Sequence, residues 1–92
     1  MKGVGISARQ LKAARALLGW SQAQLAKEAG LSTTAVFRLE ADMSDARLST
    51  LEAILGALER RGIEFVSSAD GTIGVVMRAR PDKAVSDQRA TA

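Results

Sequence analysis

The 92-residue sequence contains no cysteine and no histidine. Disulfide bonds, thiolate or imidazole metal sites and the nucleophilic mechanisms that depend on these side chains are therefore excluded. Aromatic residues are scarce, with one tryptophan, two phenylalanines and no tyrosine, so we expect an aliphatic core. No uninterrupted apolar run follows the charged residues near the start, which argues against a signal peptide or membrane span and favours a cytoplasmic protein.

Catalytic motifs are also missing. The sequence has no recognisable pair of catalytic carboxylates and no glycine-rich loop of the kind that cradles phosphates. We therefore expect a protein that is not an enzyme and that uses neither a metal nor a cofactor.

The size and charge of the chain favour one small, slightly basic domain. Hydrophobic residues make up 47% and charged residues 25% of the sequence, which is an ordinary globular mixture. The net charge is +3, and residues 1–47 hold seven Lys and Arg against four Asp and Glu. A modest basic bias favours a polyanionic partner. A domain of this length is only marginally stable, and pairing with a second copy is a common remedy.

Apolar residues recur at helical spacing in four segments. The predicted helices cover about residues 8–18, 22–29 and 33–41, and a fourth helix begins near residues 48–50. Gly62 follows the fourth segment as a stop signal.

Capping signals mark the helix starts. Ser7 and Ser21 each begin a Ser-x-x-Gln capping box, and Ser32 is placed to cap the third helix. Ser49 begins a Ser-x-x-Glu box, which leaves the exact start of the fourth helix open. Trp20 precedes the second cap, where we expect it to pack on the following helix as a hydrophobic staple.

A β-hairpin is predicted after the fourth helix, because the apolar period changes there from about 3.6 to 2. Runs of β-prone residues at 63–67 and 72–78 flank Asp70-Gly71, a strong hairpin signal. A two-residue turn and a four-residue loop over 68–71 both fit and give different strand registers.

The predicted hairpin carries apolar residues on both faces. One face can pack on the fourth helix, whereas the other would lie bare unless a second copy covers it. We therefore predict a homodimer through residues 63–78; in the alternative, the hairpin folds fully over the helical core. The candidate dimerisation residues are Ile63, Phe65, Val66, Ile73, Val75, Val76 and Met77.

These elements give a mainly α fold with a defined order. A flexible N-terminus (1–6) precedes a helical domain (7–61), a hairpin (62–78) and a tail (79–92) whose composition predicts disorder.

The second and third helices have the spacing of a helix-turn-helix. Ala26 is small where the facing helix must pass close, and Gly30 supplies the positive φ of a sharp turn. Val36 and Leu39 would hold the third helix on the core. Its outer side then consists of Thr33, Thr34, Phe37 and Arg38, and such a helix can enter a DNA major groove about 12 Å wide.

The segment LGWSQAQLAKEAGLSTTAVFRLE resembles the Cro/repressor-type helix-turn-helix of bacterial and phage regulators, the XRE family. The resemblance extends over about residues 7–58. It implies a lambda-repressor-like domain of four to five helices, with the third helix as the recognition helix.

The resemblance also implies roles for individual residues. Thr33, Thr34 and Arg38 would read bases, and Ser32 belongs to the same set of candidate DNA-binding residues. In the alternative, Ser32, Thr33 and Thr34 serve only as the cap and first turn. Gln22 would bind a backbone phosphate from the start of the second helix. Two further residues, Arg15 and Glu40, match the family positions that form an ion pair between the first and third helices.

The loop after the third helix departs from the family pattern. Ala41-Asp42 and Ala46-Arg47 stand where the family usually has a glycine and a proline, so the loop shape is open. Asp42 and Asp45 would repel phosphates unless they turn away, and Arg47 either binds a phosphate or has no role.

Phe37 replaces a residue that is usually polar. It either touches a thymine methyl group or packs against the loop.

The sequence therefore predicts a dimeric, sequence-specific DNA-binding regulator, most simply a repressor of a pseudo-palindromic operator. Two alternatives stay open. An antitoxin would bind both its operator and a toxin protein, and an adaptor would use the same helices to bind a protein without DNA.

Overall fold

The computed structural model describes residues 6–78 and contains four helices followed by a two-stranded antiparallel hairpin. The mainly helical fold class is confirmed. The predictions for the N-terminus and for the tail 79–92 lie, apart from Ile6, outside the described residues. The elements are α1 Ala8–Leu18, α2 Gln22–Ala29, α3 Thr33–Ala41, α4 Leu48–Glu59, β1 Ile63–Ser67 and β2 Ile73–Met77.

The first predicted capping box is complete. The Ser7 hydroxyl accepts a hydrogen bond from the Gln10 backbone N–H (3.3 Å), and the Gln10 side-chain oxygen accepts one from the Ser7 N–H (2.8 Å). Two orphan amides at the start of α1 are thereby satisfied.

The other two predicted boxes do not form as expected. Ser21 caps α2 by accepting from the Gln24 N–H, but the Gln24 side chain donates to Glu28 instead of reaching back. Residues four apart lie on the same side of a helix, which makes Glu28 the nearer partner. The Ser49 box is wrong because α4 already begins at Leu48, so Ser49 is helical and cannot cap.

The core is aliphatic, as expected from the scarcity of aromatic residues. Trp20 packs against the edge of this core, and the Arg61 guanidinium carbon lies 5.5 Å from the centre of its ring. All four helices and the first strand contribute to the buried cluster. Its members are Leu11, Ala14, Leu25, Ala26, Val36, Leu39, Leu51, Ile54, Ala57, Leu58 and Ile63.

The hairpin closes with a three-residue loop, which is neither of the two predicted alternatives. Ser68 and Thr72 form the last backbone pair (N···O 2.9 Å), and Gly71 donates its N–H to the Ser68 carbonyl (3.0 Å). Gly71 has φ +92°. A turn followed by a left-handed glycine is a common three-residue hairpin connection. The resulting register pairs Ser67 with Ile73 and Ile63 with Met77.

The buried Gln10 amide fastens the hairpin to α1. Its Nε2 donates to the carbonyl oxygens of Val66 and Gly74, both at 2.9 Å. Ile63 is buried on the helix side of the sheet, whereas Val66 and Val76 point to the opposite side and are exposed. The hairpin therefore covers the helices with one face and leaves the other face bare in the single chain.

Gly62 is required where α4 leads into the hairpin. Its φ is +91°, and a Cβ at this position would overlap the Arg78 carbonyl oxygen. We predict that Gly62→Ala lowers the free energy of unfolding by about 2 kcal/mol or more, measured by urea denaturation. The matched control is Gly56→Ala inside α4, where only the mobile end of Arg60 is near. Alanine should raise stability there by up to about 1 kcal/mol. Equal changes in unfolding free energy for Gly62→Ala and Gly56→Ala would contradict the requirement for glycine at position 62.

Candidate nucleic-acid interface

The turn between α2 and α3 is sharp because of Gly30. This residue has φ +73°, as predicted, and its N–H donates to the Lys27 carbonyl. The Leu31 N–H donates to the Ala26 carbonyl at 2.8 Å, which completes the left-handed ending of α2. Ser32 then caps α3 by accepting from the Ala35 N–H. The three residues between Ala29 and Thr33 therefore suffice to turn the chain into a new helix direction.

A two-pronged ion pair holds α3 against α1. The Arg15 Nε and Nη2 donate to the two carboxylate oxygens of Glu40 at 2.7 and 2.9 Å. The Arg15 Nη1 also donates to the Trp20 carbonyl at 3.0 Å, in the segment between α1 and α2. The structure thus pairs the two residues as the family resemblance implies, and the fork geometry fixes the orientation as well as the distance.

Gln22 completes this network from the first turn of α2. Its Nε2 donates to Glu40 Oε1 at 3.0 Å. A side-chain amide carries two N–H groups, so one remains to donate outward. Glu40 therefore connects α1, α2 and α3 in one polar cluster.

Glu40 is ionised in this setting. Burial alone would raise its pKa, but the hydrogen bonds from Arg15 and Gln22 and the charges of Arg15 and Lys12 outweigh burial and hold the pKa below its ordinary value of 4.5. The pKa of Arg15 is raised, chiefly by its hydrogen bond to Glu40. The pair is therefore fully charged at neutral pH.

The outward side of α3 is exposed and polar apart from one aromatic ring. Thr33, Thr34 and Arg38 are exposed, and within residues 6–78 no hydrogen bond or ion pair engages their side chains. Phe37 is 59% exposed, so it stands away from the core. It borders a shallow pocket of about 120 Å³ together with Lys12, Gln22, Glu40 and Ala41. Val36 and Leu39 are buried on the inner side, as predicted.

The loop after α3 brings acidic and basic residues together. Arg38, Asp42, Asp45 and Arg47 line a groove of about 420 Å³ between α3 and the start of α4. The Asp42 carboxylate accepts from the Ser44 N–H at 2.9 Å, and this backbone bond lowers its pKa. The carboxylates thus lie beside the candidate DNA-contacting cations.

Two residues were not expected to have these roles. The sequence predicts no role for Lys12, yet Lys12 borders the Phe37 pocket and its charge lowers the pKa of Glu40. Its spacing of three from Arg15 puts both on one face of α1, which is a usable signal. For Gln10, the sequence predicts only its place in the Ser7 capping box. Its bonds to the hairpin join residues more than fifty positions apart, which a local pattern does not reveal.

A helix-turn-helix family model, HTH_3, matches residues 11–65. The chain therefore belongs to the XRE family of helix-turn-helix domains, and it is a DNA-binding domain of the kind found in transcription regulators. A search of curated proteins found no significant match. Among residues 6–78, no helix is long and apolar enough to span a membrane, and no acidic cluster is arranged to hold a metal ion.

We predict that Glu40→Gln lowers the unfolding free energy by about 2–4 kcal/mol at pH 7, because Arg15 loses its charged partner. The pKa of Glu40 is lowered on folding, so its contribution is full above pH 4.5 and disappears as the pH falls through the lowered value. The difference between the two proteins should therefore shrink toward acid in a urea-unfolding series. Glu52→Gln, at an exposed position on α4, is the control. A difference that is constant with pH would contradict this account.

Proposed function

We propose that this protein is a sequence-specific transcription regulator that binds a pseudo-palindromic operator as a homodimer and represses by occupying it. The observation that carries this proposal is the outward side of α3. The Arg15–Glu40 pair holds α3 against α1 on the side of the helix that faces the core. The polar side chains on the outward side have no partners within the described part of the chain. A rigid helix with free donors and acceptors suits the major groove.

In this proposal α3 lies in the major groove. Arg38 reads a base edge or binds a phosphate, and Thr33 and Thr34 contact bases or the backbone near the N-terminus of α3. Ser32 remains the cap and approaches the backbone. Phe37, which projects from the same side, contacts the methyl group of a thymine.

Gln22 supplies the phosphate contact that fixes the position of the domain on the duplex. Its amide already donates one hydrogen to Glu40, which orients the second hydrogen outward beside the N-terminus of α2. A helix N-terminus favours a phosphate because its first N–H groups and its dipole are both positive. Arg47 contributes a second phosphate contact across the groove from Arg38.

A homodimer is required because one recognition helix reads too few base pairs to select a site in a genome. Two copies related by a dyad read two half-sites about 10 base pairs apart. The exposed apolar residues of β2, Ile73, Val76 and Met77, favour the hairpin as the contact between the copies.

The proposal is tested by selection from a random duplex library near physiological salt, followed by sequencing. We expect enrichment of a pseudo-palindrome with half-sites one helical turn apart. Binding without enrichment that merely fades as salt rises would indicate association through counterion release alone. That result would contradict sequence-specific recognition and favour a protein partner instead.

Arg38→Ala should weaken operator binding by about 1–3 kcal/mol and relax the preference at one base-pair position in each half-site. Lys27→Ala, which removes one exposed cation from α2, is the matched control and should change affinity by less than about threefold. Titration of each variant against the operator and against single-base variants measures both effects. Equal losses for the two variants would indicate that only net charge matters.

Asp45→Asn should strengthen DNA binding. The Asp45 carboxylate lines the same groove as Arg38 and Arg47, so it weakens their attraction for phosphates. We expect a gain of about two- to fivefold at low salt that diminishes as the salt concentration rises. Glu52→Gln provides a control for the loss of a negative charge elsewhere. An unchanged or weaker affinity for Asp45→Asn would show that the loop stays away from the duplex.

A further inference from the structure

The outer edge of β2 presents backbone groups without partners. Within the hairpin, Ser68 N–H donates to Thr72 and Arg78 N–H donates to Gly62. The backbone N–H and C=O groups of successive residues in a strand point alternately to its two sides. Since Thr72 and Arg78 bond to the residues that border β1, the N–H and C=O groups of the even-numbered residues of β2 point toward β1. The N–H and C=O groups of Ile73, Val75 and Met77 therefore point to the free edge. None of them bonds to another described residue.

This edge lacks the features that normally keep strand edges apart. No charged residue or proline occurs from residue 72 to 77, whereas β1 carries Glu64, which forms an ion pair with Arg78 at 2.9 Å. Three of the four exposed large apolar side chains of the hairpin, Ile73, Val76 and Met77, belong to β2. An uncharged apolar edge strand promotes pairing with another strand unless something covers it.

A shallow groove runs along the same edge. It has a volume of about 240 Å³ and lies between α1 and β2. Its lining consists of Arg9, Gln10, Ala13, Ile73, Gly74 and Val75. A side chain that projects from an added strand toward the helices would enter this groove.

We propose that the partner at this edge is a second copy of the chain, with the two β2 strands paired antiparallel about a dyad at Val75. This proposal rests on the dimer in the proposed function and specifies its strand and register. With the dyad at Val75, every residue of Ile73–Met77 pairs with a residue of the same segment in the second copy. A dyad at a neighbouring residue would leave residues at the ends of this segment unpaired.

The pattern of β2 fits itself in this register. Ile73 lies opposite Met77 of the second copy on the helix side of the joined sheet. The Met77 side chain of the second copy then enters the groove beside α1 of the first copy. On the other side, Val76 lies opposite Gly74 of the second copy, where the missing side chain leaves room. The free backbone groups of Ile73, Val75 and Met77 bond to the same three residues of the other chain.

The symmetry also suits a shared duplex. Residues that lie opposite each other in a ladder put their side chains on the same face of the sheet. The helix-covered faces of the two hairpins therefore form one continuous face, which requires the dyad to be perpendicular to the sheet. Both helical domains then lie on the same side of a four-stranded sheet. Pairing with the faces reversed would put the two domains on opposite sides.

A charge-swap experiment tests the register. Ile73→Glu should weaken dimerisation by about tenfold or more, because two carboxylates each replace an apolar contact with Met77 of the second copy. Met77→Lys alone should also weaken it. The double variant Ile73→Glu/Met77→Lys should recover to within about threefold of the natural sequence, since each glutamate then faces a lysine of the other chain. Within one chain, residues 73 and 77 are too far apart along the strand to pair.

Sedimentation equilibrium without DNA measures each dissociation constant, and thermal unfolding verifies that every variant folds. Val66→Glu is the matched control. Val66 is exposed and is one of the candidate dimerisation residues predicted from the sequence, but it lies on β1 and on the opposite face from Ile73 and Met77, so the β2 register places it outside the contact. We expect it to leave dimerisation unchanged.

Additive losses in the double variant, or a loss for Val66→Glu as large as that for Ile73→Glu, would overturn the β2 register. In either case the dimer of the proposed function would survive. A natural sequence that stays monomeric at all concentrations would overturn both the register and the dimer, and would favour a different protein at this edge. The DNA selection does not depend on which strand joins the two copies, so a wrong register alone would leave its expected result unchanged.

Discussion

The rest of the structure depends on one buried carboxylate. Glu40 accepts two hydrogen bonds from Arg15 and one from Gln22, and in doing so it joins three helices whose own lengths are short. Short helices obtain little stability from their own hydrogen bonds and depend on tertiary contacts. A buried charge without its partner is costly, so the cluster tolerates only one arrangement of α1, α2 and α3. That arrangement fixes the angle at which α3 stands above the surface.

The same constraint explains why the chain uses two short helices where one longer helix would leave fewer unpaired ends. Each extra helix end needs a cap, and Gly19, Ser21, Gly30 and Ser32 provide them. In return, the turn at Gly30 changes the chain direction and frees the outer side of α3. Stability and function therefore use opposite sides of one helix: Val36 and Leu39 face the core, and the polar residues face outward.

Local features were predictable from the sequence, and long-range ones were not. The bounds of α1, α2 and α3 were predicted correctly, because serine caps and glycine stops act within a few residues. The hairpin register was left open because Asp-Gly is compatible with several loop lengths, and only the pairing of the strands selects the three-residue loop. The bonds of Gln10 to the hairpin depend on residues that come together only in the folded chain. The DNA contacts of Gln22 and Arg38 remain predictions, since they concern a partner.

The most direct test of the central claim is to map where DNA touches the folded protein. Amide chemical shifts of the isotope-labelled chain would be recorded while a mixed-sequence duplex is added at low salt, where even non-specific binding is measurable. The account predicts that the largest changes occur at Gln22 and along residues 32–38, with β1 and β2 little affected. Changes confined to the hairpin or to α4, with α3 unaffected, would contradict it.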